Sequence, residues 1–171
     1  MQISTKFTTA VHVLIAIEYF RDDEKITSDM LAGTVGSNPV IIRNIMSQLK
    51  EAGLIEVRRG PGGITLLKPL EAITFLDLYR AVETGSSAPL FHFHEHPNPA
   101  CPVGRAIHGS LDATLDAIQA SFEAELKRHT VADIYEKAVA TIAKEDGASR
   151  NLSRLTAPVR HPNPREASPQ Y

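Results

Sequence analysis

The sequence predicts a mainly α fold with a small two-stranded β-ribbon, followed by one long helix. Three features carry that reading. Apolar residues recur at helical spacing from Phe7 to Leu49. Two short apolar runs then flank the glycine-rich stretch Arg59-Gly60-Pro61-Gly62-Gly63. From Pro102 onward, apolar residues repeat every three or four positions for at least three heptads.

The first helix is expected from Thr5 to Phe20, with Ser4 as its cap. Phe7, Ala10, Val11, Leu14, Ile17 and Phe20 would form its core-facing stripe. A second helix opens at Thr27, whose hydroxyl can cap free amides, and carries Met30, Leu31 and Val35. Gly36-Ser37-Asn38 makes a sharp turn. Asn38 then caps a third helix, Pro39 to Ala52, in which a proline at the first position loses no hydrogen bond, and Gly53 stops it. Helix, short glycine-containing turn, helix is a helix-turn-helix.

On the third helix, Ile42, Ile45, Met46 and Leu49 cover one face. Val40, Asn44, Ser47 and Glu51 lie opposite, with Arg43 at the edge. Leu54–Arg58 and Ile64–Lys68 read as the two strands of the ribbon, a wing tipped by Arg58 and Arg59. Thr74 and Asp77 predict a capping box for a short helix from Phe75 to Val82. Residues 83–101 lack helical periodicity.

The long helix starts at Pro102, with a seam of Val103, Ile107, Leu111, Leu115, Ile118, Phe122 and Leu126. About 27 residues would span some 40 Å at ~1.5 Å per residue. A winged domain of under about 90 residues leaves such a seam nothing to pack on along its whole length, so a twin helix in a second subunit is expected. Thr130 and Asp133 cap a last helix reaching about Lys144. The organisation expected is a winged helix-turn-helix domain over 1–83, a sensor or hinge loop over 84–101, dimerisation helices over 102–146 and a disordered tail over 147–171.

A helix-turn-helix followed by a basic-tipped wing is built to grip duplex DNA. The net charge of the 171 residues is only −2, so the distribution of charge matters more than its sum. Residues 39–68 hold five basic side chains against two acidic ones, and residues 103–146 hold five against eight. Asn38, Arg43, Asn44 and Ser47 are the expected contacts to bases or nearby phosphates, flanked by Ser37 and Val40. Arg58, Arg59, Gly60, Pro61 and Gly62 would meet the backbone or the minor groove, and Lys6 is a weaker phosphate candidate. The partner expected is a pseudo-palindromic double-stranded operator, with no membrane contact. A winged domain serving protein contacts without DNA is the alternative.

Ile3-Ser4, Leu31-Ala32, the run Leu49-Lys50-Glu51-Ala52-Gly53-Leu54-Ile55 and Arg59-Gly60-Pro61-Gly62-Gly63 together resemble the Rrf-two (Rrf2) family of bacterial winged-helix regulators, over roughly Gln2 to Lys144. The resemblance implies a homodimer joined by the long helix, and transcriptional repression. Cluster-binding members of that family place three cysteines in the loop before the long helix. This chain has one cysteine, Cys101, in Asn98-Pro99-Ala100-Cys101-Pro102-Val103-Gly104. It is therefore similar to the cluster-less, single-cysteine branch, and no cofactor is expected.

A lone thiol forms no intramolecular disulfide and points to a reducing, cytoplasmic compartment, here one at the nucleoid. Cys101 precedes a helix N-terminus, where free amides favour thiolate, so it is read either as a redox or electrophile sensor or as an inert structural residue. His92, His94 and His96 alternate and could hold zinc or copper, making a metal-responsive repressor the rival. An enzyme is not expected. No phosphate cradle, carboxylate pair or ordered triad accompanies the cysteine and histidines, and His108, Ser110 and Asp112 lie on the expected dimer helix.

Overall fold

The computed structural model describes residues 5–23, 25–58, 62–83, 90–91 and 96–155, with backbone alone for 108 and 146–155. The order is α1 (Thr5–Phe20), α2 (Ser28–Val35), α3 (Pro39–Glu51), β1 (Ile55–Arg58), β2 (Gly63–Leu66), α4 (Phe75–Val82), α5 (Pro102–Arg128) and α6 (Val131–Leu155). A single 3-10 turn, Leu70–Ala72, precedes α4. The chain divides into two compact units, residues 1–135 and residues 136–171, the boundary falling inside α6.

Local chemistry sets most boundaries in the first unit. The Thr27 hydroxyl accepts from the Met30 amide at the start of α2. At its end, Gly36 takes a left-handed φ of 68°, and the Ser37 amide donates to the Ala32 carbonyl at 3.0 Å, a closure that favours glycine. Two residues later Asn38 Oδ1 accepts from the Val40 amide at 2.8 Å, with Pro39 at the first helical position. Gly53, with φ of 69°, turns the chain out of α3 into β1. Ser4, the expected cap of α1, lies outside the described residues.

Ile42, Ile45, Met46 and Leu49 of α3 are all buried, as their spacing predicts. They join Leu31 and Ala32 of α2, Leu54, Ile55, Ile64, Leu70, Ile73, and Leu78 and Val82 of α4 in one core. The stripe on α1 differs from expectation. Ala10, Leu14 and Ile17 are buried, but so are Val13 and Ala16, while Phe7, Val11 and Phe20 are only partly covered. A helix apolar on most sides is surrounded rather than laid on a surface, so a single stripe underestimates its contacts.

The ribbon is antiparallel, pairing Ile55 with Leu66, Glu56 with Thr65, Val57 with Ile64 and Arg58 with Gly63. Its strands are shorter and shifted from 54–58 and 64–68: β2 starts at Gly63 and ends at Leu66, before Pro69, which has no amide to extend a ladder. Ile64 also donates to the Ile26 carbonyl at 3.2 Å, tying the ribbon's base to the segment before α2. A Cβ on Gly63 would stand 3.1 Å from that same carbonyl, and φ there is 66°. Glycine is what permits this approach.

After the ribbon the Thr74–Asp77 capping box forms as expected. The equivalent pair, Thr130 and Asp133, starts α6, the Thr130 amide donating to Asp133 Oδ2 at 2.7 Å. The two boxes also pair with each other. Phe75 donates to the His129 carbonyl at 2.9 Å and Val131 to the Ile73 carbonyl at 3.0 Å, and Val131 and Ala132 enter the core. The turn between α5 and α6 is thereby fixed to the same segment that launches α4.

α5 occupies the predicted span, Pro102–Arg128. Its C-terminal half lies on α4: Phe122 meets Tyr79 edge-on, centroids 5.3 Å apart, and Glu123 pairs with Arg80 at 2.7 Å. α6 runs to Leu155, well beyond the expected stop near Lys144 and into the stretch from Gly147 expected to be a disordered tail. One interior glycine costs a helix only about 1 kcal/mol, and no proline follows until Pro158. Residues 156–171 lie outside the described residues.

Candidate nucleic-acid interface

The site is built around the exposed face of α3. Val40, Arg43, Asn44, Ser47 and Glu51 are all exposed, opposite the buried quartet. Their polar groups are not equally available. The Asn38 carbonyl oxygen is committed to its cap. Arg43 turns toward the start of α2, its Nη2 at 3.0 Å from Asp29 Oδ1 and its Nε at 3.4 Å from Ser28 Oγ. Ser47 donates to Glu51 Oε1 at 3.2 Å. Asn44 alone of the expected polar readers on α3 has no intramolecular side-chain hydrogen bond among the described residues.

The first turn of α3 adds an unexpected feature. Val40 is 58% exposed and the neighbouring Ile41 49% exposed. Ile41 was not among the residues expected at the interface. Ser37, in the turn ahead of the helix, is half-buried.

On the ribbon, Arg58 is exposed and pairs with Glu56 across 2.8 Å. The hydrogen bond that Arg58 donates to Glu56, then the Glu56 charge, raises the guanidinium pKa further above its ordinary value. An exposed pair of this kind contributes little by itself, so a phosphate can displace Glu56 at small cost. A Cβ on Gly62 would come within 2.5 Å of the Arg58 Cβ, so a side chain at 62 would push the arginine strand aside. Arg59, Gly60 and Pro61 lie outside the described residues. Lys6 is exposed in the first turn of α1.

Cys101 is the N-cap residue of α5 and half-buried, and its thiol makes no capping hydrogen bond. The turn around it is tight: Cys101 donates to the Asn98 carbonyl at 3.1 Å, and a Cβ on Gly104 would lie 2.3 Å from that oxygen. Asn98 Oδ1 also accepts from the Ala100 amide at 2.9 Å. His92 and His94 lie outside the described residues, and His96 is exposed. Among the described residues no three His, Cys, Asp or Glu side chains gather as a metal site, and no helix is long and apolar enough to cross a membrane.

Comparison with known proteins gives the family of the chain. Residues 3–137 match the profile of the Rrf2 family, described as an iron-dependent transcriptional regulator. The chain is similar to YwnA of Bacillus subtilis (strain 168), assigned as an HTH-type transcriptional regulator, with 38% identity over 77% of this chain and 96% of that one. A crystal structure described as a DNA-binding protein shares 34% identity, covering 75% of this chain and 97% of its own, with a TM-score of 0.61. CymR, the global cysteine regulator of B. subtilis, shares 22% identity over 80% of this chain and 98% of its own, with a TM-score of 0.56. That last likeness is one of winged-helix fold.

The iron in the family description is not matched by the donor set here. A cluster of the family's three-thiolate type needs ligands that one cysteine, Cys101, cannot supply. What the fold, the exposed α3 face and the comparisons agree on is regulation of transcription rather than catalysis: the chain belongs to the Rrf2 family of DNA-binding transcriptional regulators.

Proposed function

We propose that the chain acts as a homodimeric repressor on a pseudo-palindromic operator. α3 enters the major groove, and the ribbon lays Arg58 and Arg59 along the flanking minor groove. The observation that carries the dimer is the state of α5. None of its described side chains is fully buried, and Val103, Leu111 and Ile118 are 68%, 36% and 44% exposed. Burying each against a twin helix contributes about 1.5–3 kcal/mol. A twofold axis through that pairing presents two α3 helices to one duplex, which requires half-sites about 34 Å apart or a multiple of it.

Footprinting of the full chain on duplexes selected from a random pool tests this. Two protected half-sites in that spacing, with affinity falling steeply as salt rises, are expected. Protection of a single half-site by one chain would overturn the dimeric reading.

We further propose that Cys101 is the responsive group. Oxidation or electrophile capture would add bulk within a turn that a single Cβ at Gly104 already overfills, and the added group would act on the start of α5. Cys101→Ser should hold DNA under oxidant, whereas release equal to that of the unaltered protein would exclude the thiol.

A further inference from the structure

We propose that Val40 and Asn44 together read A·T pairs, Val40 packing on the 5-methyl group of thymine and Asn44 pairing with adenine. The inference rests on the major-groove placement of α3 proposed above, and adds which bases that helix selects.

Each base offers the major groove a different partner. Guanine, through O6 and N7, favours arginine or lysine; cytosine, through N4, favours a carboxylate; adenine favours a carboxamide; thymine presents a methyl group. On α3 the groups suited to guanine and cytosine stand at the edge of the exposed face, as Arg43 does, or in the last turn, as Lys50 and Glu51 do. Arg43, at the edge of the face, points back toward Asp29 and Ser28 in an exposed pair that contributes little by itself. Glu51, at the far end of the helix, accepts from Ser47, which also occupies that hydroxyl. The Asn38 oxygen caps its own helix.

Along the Val40 side of the first two turns stand an aliphatic side chain and an uncommitted carboxamide. Val40 and Asn44 are four residues apart, so they stand above one another on the same side of the helix. Their separation along the axis is about 6 Å, near twice the ~3.4 Å spacing of stacked base pairs. One helix face therefore meets a thymine methyl and an adenine edge one or two steps apart. Exposing a large aliphatic side chain in the first turn is unfavourable in water, and a methyl group in the groove relieves it.

The test selects duplexes from a random-sequence pool with the full-length protein, then replaces each thymine of the enriched sequence by deoxyuridine. That change removes one methyl group and leaves the base pairing intact. At one thymine per half-site, binding should weaken about fourfold, the worth of one buried methyl group. Val40→Ala should lose a similar factor on the thymine duplex and nothing further on the uracil duplex. Replacing the neighbouring adenine by 7-deazaadenine, which lacks N7, should weaken the parent protein and leave Asn44→Ala unaffected.

Indifference to every uracil, a full uracil penalty retained by Val40→Ala, or enriched half-sites made of G·C pairs would each overturn the assignment while leaving DNA binding intact. Failure to enrich any duplex would instead remove the major-groove placement, and this inference with it. Because Val40 is exposed, its substitution leaves the core untouched, and the uracil arm needs no altered protein.

Discussion

Helices α3 and α5 both carry an apolar stripe, yet the chain treats the two stripes in opposite ways. On α3, Ile42, Ile45, Met46 and Leu49 are buried by α1, α2, α4 and the ribbon, and what stays exposed is the face proposed to read DNA. On α5, the C-terminal half rests on α4, but Val103, Leu111 and Ile118 stay exposed. A stripe satisfied within its own chain positions a reading head. One left exposed over several turns asks for a second molecule. The same periodicity in sequence thus has two outcomes, and helix length decides between them. Thirteen residues in α3 fit inside a small core, whereas the 27 of α5 outrun it.

The comparison is broken most forcefully at Leu49. Leu49→Ala deletes a fully buried side chain and should cost about 2–5 kcal/mol in urea unfolding, abolishing DNA binding at moderate temperature. A cost below about 1 kcal/mol would mean that the α3 stripe is not where the core is made. Next is the pair Leu111→Glu with Ile118→Glu, which places charge on the exposed seam. Sedimentation equilibrium should change from dimer to monomer, with operator affinity falling as the twofold pairing is lost, while far-UV dichroism stays unchanged. An unaltered dimer would show that α5's exposed residues are solvent-facing only.

The smallest effect sharpens how α5 is held against α4. The Glu123 carboxyl is held below its ordinary value, first by the hydrogen bond from Gln119 at 2.6 Å and then by Arg80, against some desolvation. A lowered folded-state value stabilises above the ordinary glutamate value of 4.5 and is lost as pH falls through the folded value. Solvent screening limits the contribution to on the order of 0.5 kcal/mol. Glu123→Gln should therefore lower stability slightly at neutral pH and flatten the acid limb of the stability curve. An identical acid limb in the two proteins would assign that limb to other carboxylates.

Most of the fold could be read in advance because its signals are local. A cap such as Asn38-Pro39, a stop such as Gly53 and a box such as Thr74-x-x-Asp77 act within one helical turn, so each announces itself within a few residues. The stripe of α1 was harder, since Val13 and Ala16 face a second side of the core whose existence depends on where other helices land. The continuation of α6 past Gly147 carries no apolar stripe to announce it, and nothing before Pro158 obliges the helix to end.

At the interface the division is sharper. By itself the sequence determined that α3 has one apolar and one polar face, that a glycine-rich ribbon follows it, and that a long apolar seam starts at Pro102. Only the tertiary structure decided which polar groups stay available. Arg43 is met by Asp29 and Ser28, fourteen and fifteen positions earlier in the chain. The reason is physical: periodicity and capping are properties of neighbouring residues, whereas the competition for a hydrogen bond or an ion pair is settled by whatever side chains folding brings within reach.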